Sequence, residues 1–156
     1  MEYLLTGIGH VDVAHTTARV ALGTFFAISG FHKLFYAQRH NSIVETFKVD
    51  HIPFIGFNQW FVPCVEFFGG LGLVVGLLTP LAAAGVFVVC LVATLVDGVK
   101  RIASYEPIDR ADWIDDLLYL PEVIYLVVLA FFITAGAGPW SLDSLLIAML
   151  NERISL

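Results

Sequence analysis

Glu66, Glu122, Lys33 and His32 are ionisable groups set inside or beside long apolar runs, and any chemistry in this chain has to start from them. Glu66 is the clearest case. It stands in PCVEFFGGLGLVVGLLTP, Pro63 to Pro80, whose other side chains carry no charge. A lone charge at bilayer depth costs roughly 3 kcal/mol or more unless it is paired, protonated or hydrated. A cation, an imidazole and carboxylates brought to one depth can bind a polar headgroup, relay protons or simply neutralise one another. No nucleophile motif, Walker loop or dinucleotide-binding glycine loop is present, so no catalytic residue can be assigned. His10, Asp12 and His15 could reach a metal from one short turn, but they form no known ligand frame, and no metal is expected. Cys64 and Cys90 lack metal or CxxC spacing and read as small core residues.

The elements that must position these groups are membrane helices. The 156 residues are 58% hydrophobic and 14% charged, and the mean hydropathy of +0.84 comes from long apolar blocks. That pattern predicts an all-α, polytopic membrane protein, a single domain over residues 1–156. Strict alternation is missing, which excludes barrel strands, and a net charge of -6 without a basic stripe excludes nucleic acid as a partner. The N-terminus lacks the basic start and cleavage site of a signal peptide, so targeting is expected from the first membrane helix. Four spans are expected, at about 18–36, 60–78, 80–99 and 117–134, with an interfacial tail helix at about 142–152. Arg19, Gly23, Phe26, Gly30 and Lys33 share one face of the first span, and its two cations lie about 21 Å apart along the axis. In the second, Glu66, Gly69, Gly72 and Gly76 fall on one face; with Gly70, they would let another helix approach closely. Thr79 reads as the N-cap of the third span, with Pro80 in its first turn. Between spans one and two, Ile43, Val44 and Phe47 mark a short amphipathic or re-entrant element.

Alternating helix direction sorts the charges into two layers. Lys33, His32, Glu66, Asp97 and Glu122 fall on the loop side; Arg19 and Asp143 fall on the terminal side, where they would form a structural clasp. The loop-side excess of Lys and Arg would place both loops in the cytoplasm.

Three blocks together resemble the DoxX family. Arg19-x3-Gly23-x6-Gly30-x2-Lys33 is similar to its first helix. Glu66-x2-Gly69-Gly70, followed by Gly76-Leu77-Leu78-Thr79-Pro80, is similar to its second helix and turn. Gly138-Pro139-Trp140-Ser141-Leu142-Asp143 is similar to its C-terminal block, with Trp140 where a glycine often stands. Ile52-Pro53 and Glu122 fit further positions, while the acidic loop from Ile102 to Asp116 is longer than the family pattern. The resemblance implies a four-helix bundle in the inner (cytoplasmic) membrane. Some members are subunits of thiosulfate:quinone oxidoreductase and others belong to redox or stress assemblies. It therefore points to a subunit of a membrane oxidoreductase complex, with other membrane subunits or a second copy as partners. Lys33, His32, Glu66 and Glu122 would form a quinone or headgroup site, and Arg19, Asp143, Gly69 and Gly70 would be structural. No residue here carries electrons alone, so a redox partner or bound cofactor is required. The alternative is an accessory, assembly or scaffold subunit with no chemistry of its own.

Overall fold

A computed structural model of the chain describes residues 10–103 and 110–154. The acidic start of the chain and residues 104–109 of the expected acidic loop lie outside the described residues. All regular structure among the described residues is helical. The helices are α1 (Val11–Phe35), α2 (Ala37–Val49), α3 (Ile55–Val75), α4 (Thr79–Ala103), α5 (Arg110–Tyr119), α6 (Pro121–Ala135) and α7 (Leu142–Ile154).

Helix α1 packs along α3, and α4 lies between α3 and α6. The buried face of α1 holds Arg19, Leu22, Gly23, Phe26, Ala27 and Gly30. Opposite it, α3 buries Pro63, Glu66, Gly70 and Leu73. The two backbones touch: a Cβ on Gly23 would come 2.7 Å from the Gly70 carbonyl oxygen, and one on Gly70 would collide with the backbone of Ala27. This corrects the expectation of one glycine face. Gly70 faces α1, whereas Gly69 and Gly72 face Val86 and Ala82 on α4. Leu22, Phe26, Leu73, Val86 and Phe132 then close one core shared by four helices.

The α3–α4 turn is tight because Gly76, at φ 69°, and Leu78, at φ 48°, both take the left-handed conformation. The Leu77 N–H donates back to the Gly72 carbonyl at 2.9 Å. Thr79 is not the cap expected of it: it is the first helical residue, and its buried hydroxyl has no partner. The cap is Asp143, whose carboxylate accepts from the N–H groups of Leu78 (2.7 Å) and Thr79 (2.9 Å). A carboxylate there also meets the positive end of the helix dipole.

Helix α4 is the one described helix whose length and hydropathy alone suffice to cross a membrane, and α1 with α2 passes the same test only as a pair bent by 94°. The fourth apolar helix starts later than expected. Leu120 is extended, as a residue before proline tends to be, and α6 begins at Pro121 in place of Leu117. None of the residues of α7 is buried.

Candidate functional site

The chain turns sharply at Tyr36, one extended residue (φ -111°, ψ 111°) between α1 and α2. The bend would strand the last carbonyls of α1. His40 meets one of them, its Nδ1 lying 3.1 Å from the Lys33 carbonyl oxygen, while its ring packs tilted against Trp60 with centroids 4.3 Å apart. Helix α2 buries Phe47, and its far end is tied down by an ion pair of 2.9 Å between Asp50 and Lys100 of α4.

Under this elbow lies a cavity of about 560 Å³. Valines of α4 (Val88, Val89, Val92 and Val96) form one wall, and Ile43 and Phe47 of α2 face them. Lys33, Arg39, Glu66, Asp50 and Asp97 bring charge to it. The α4 wall includes a π turn, Thr94–Gly98, in which the Thr94 hydroxyl donates to the Cys90 carbonyl at 2.9 Å. Such turns insert one residue into the helical register, and they recur at functional sites.

Lys33 and Glu66 meet in the cavity lining. Lys33 Nζ lies 2.6 Å from both carboxylate oxygens of Glu66, and Ser29 Oγ donates to one of them at 3.2 Å. The Glu66 side chain is 7% exposed and that of Lys33 28%. The pair answers the desolvation problem that Glu66 posed, because a buried carboxylate with a cation and a hydroxyl donor is satisfied. Two of the three ammonium N–H bonds are used, which leaves one donor directed elsewhere.

Glu122 and His32 do not join this pair. Glu122 accepts from Arg101 at 2.7 Å, and Arg101 also holds Asp97 at 2.9 Å. The π turn explains the difference: one inserted residue rotates the remainder of α4 by about 100° and carries Arg101 toward the first turn of α6. His32 is exposed and touches the rings of Phe31 and Tyr36 at 6.0 and 5.0 Å, since it sits one position away from the face of α1 that meets α3. Sequence reasoning missed Arg39, Asp50 and Lys100 as a group. Only the angle of the α1–α2 bend, 94°, gathers them: the end of the first span at Tyr36 is legible in the sequence, but the direction in which the next element leaves it is not.

On the terminal side, Arg19 and Asp143 do not pair directly. Arg19 is 1% exposed. Its Nη1 donates to the carbonyls of Leu73 and Val74 in the last turn of α3, and its Nη2 to that of Trp140 at 2.7 Å. Arg19 thus caps the end of α3 while Asp143 caps the start of α4, so each charge meets the helix dipole that favours it. His15 lies on the same side, packed on Phe131 and Phe132.

The Lys33–Glu66 pair makes a stability prediction. Lys33→Met should lower stability by about 3 kcal/mol, because it leaves a buried carboxylate without its cation. The double variant with Glu66→Met should recover most of that loss. Thermal melting in detergent checks it; a double variant no better than Lys33→Met would mean that the pair does not act as a unit.

A family model described as DoxX matches residues 14–97, a little over half of the 156-residue chain. Every residue that lines the cavity lies within that stretch, as do Arg19 and the whole α3–α4 turn. No curated protein and no solved structure matches the chain.

Proposed function

Because the chain belongs to the DoxX family of membrane proteins, we propose that it is a multi-pass subunit of a membrane oxidoreductase complex whose cavity receives the head of a quinone. The observation that carries this reading is the Lys33–Glu66 pair, with its carboxylate buried, in the lining of an otherwise largely apolar slot. A quinone site needs an apolar channel for ring and tail, plus donors for the carbonyl oxygens. Lys33 supplies a donor, and Glu66 holds it in place.

In this reading α1, α3, α4 and α6 are four spans of the inner (cytoplasmic) membrane. Their outward faces suit lipid: Phe68 is 65% exposed, Leu81 69% and Val127 67%. Helix α6 alone rises about 22 Å, and Leu117, Leu118 and Leu120 before it lengthen the apolar stretch. Helix α7, with no buried residue, lies in the interface or against another membrane subunit or a second copy.

An accessory or assembly role is the second reading, and one observation favours it. Glu66 is fully satisfied by Lys33 and Ser29, as a purely structural carboxylate would be. Glu66→Gln separates the two. Gln keeps the shape and a hydrogen bond, and the half-buried Lys33 stays hydrated, so the protein should remain inserted and folded. Quinone-dependent turnover of the purified complex should fall by more than about tenfold, the scale on which a positioned proton-transfer or charged group acts. Unchanged turnover would leave the accessory role.

A further inference from the structure

We propose that Arg39 is the second headgroup donor of the cavity, so that the site takes a ring with two opposed carbonyl oxygens, one on Lys33 and one on Arg39. The inference rests on the quinone reading and adds the residue that selects the head.

Lys33 and Arg39 are six residues apart. On a straight helix they would point about 120° apart around the axis and would diverge. The 94° bend at Tyr36 folds α2 back, and both residues line the same cavity. Three carboxylates line it as well, and each already has a cation: Glu66 has Lys33, Asp50 has Lys100, and Asp97 has Arg101. Arg39 is the remaining cation of the cavity lining, and its side chain makes no hydrogen bond or ion pair to any described residue. A guanidinium offers five N–H donors and accepts none, and it keeps its charge at every relevant pH. Lys33 has one N–H left over from Glu66. The valines of α4 line the same cavity as both donors, and they suit a flat apolar ring. The free donors therefore match acceptor oxygens at two edges of such a ring, and a head with a single carbonyl would leave one of them idle.

The test is photolabelling of the full chain in nanodiscs by a short-tailed 1,4-naphthoquinone that carries a diazirine. Two unlabelled competitors share its tail: the naphthoquinone itself and the tetralone with one carbonyl. In the wild type the label should map to α2 and the valine wall of α4. The tetralone should compete about tenfold less well than the quinone, the worth of one charged hydrogen bond. In Arg39→Gln the two competitors should become equal, and Arg39→Lys should keep part of the difference. Arg39 is exposed, so these variants should melt as the wild type does. If wild-type protein is labelled in the cavity but does not discriminate, or if Arg39→Gln still does, the role of Arg39 is overturned and the quinone site stands. If the wild type is not labelled in the cavity, the quinone reading itself falls.

Discussion

Gly70→Leu is expected to abolish the folded, detergent-resistant protein, whereas Gly69→Leu should reduce its yield and Gly85→Leu should leave it near wild type. The ranking reflects the atoms that a side chain would meet. On Gly70 even a Cβ runs into the backbone of Ala27. Backbone cannot move aside as a rotamer can, so α1 and α3 would have to separate along the contact that also seats Glu66 on Lys33. Strain of that kind exceeds the 1–3 kcal/mol usual for overpacking, roughly, and native stability amounts to only about 5–15 kcal/mol. On Gly69 the Cβ would lie 2.7 Å from Val86 Cγ2, a side-chain atom that can swing away. On Gly85 it would lie 3.3 Å from Val65 Cγ1, which a small shift relieves. Monodisperse yield and melting temperature of the three variants measure the order directly. Equal yields would show that close backbone approach does not hold α1 to α3.

Arg19→Ala should lower stability by about 4 kcal/mol or more, because three charged hydrogen bonds are lost from a buried site. Arg19 joins three segments distant in sequence: α1 through its own backbone, the end of α3 through Leu73 and Val74, and the loop before α7 through Trp140. Its removal strands those carbonyls and opens a void, because the whole residue is buried. Arg19→Lys should recover less than half of the loss. One ammonium is a compact donor and cannot fork to carbonyls on two elements. Unfolding in detergent followed by circular dichroism measures both. A lysine variant as stable as the wild type would mean that charge alone suffices there, without the fork.

Much of this molecule was legible one helix at a time. The face of α1 that carries Arg19, Gly23, Phe26 and Gly30 is the face that is buried. Glu66 needed pairing, protonation or hydration, and the alternation of helix directions put Lys33 on its side of the bundle. Arg19 and Asp143 were placed together on the opposite side, and both do act at the α3–α4 turn. Their binding partners there were not legible. Those partners are backbone groups, which every residue has and which no pattern of side chains marks.

Periodicity decided what is local in this protein: where helices run, which stripe of α1 is small or apolar, and which buried charge requires a partner. Those properties come from 3.6 residues per turn and from the cost of desolvating a charge, and both can be read along the chain. Tertiary structure alone decided the site. The extended residue at Tyr36 turns α2 by 94° and sets Arg39 on the same cavity as Lys33. The π turn at Thr94–Gly98 rotates the end of α4, so Glu122 goes to Arg101 and leaves Glu66 to Lys33. Gly70 displaces Gly69 from the α1 contact for a similar reason. Neighbours on a helix point about 100° apart, and the crossing of two helices selects which of them faces inward. A bend at one residue, or one residue added to a turn, redirects everything beyond it. Neither changes the composition or the spacing from which the helices themselves were read.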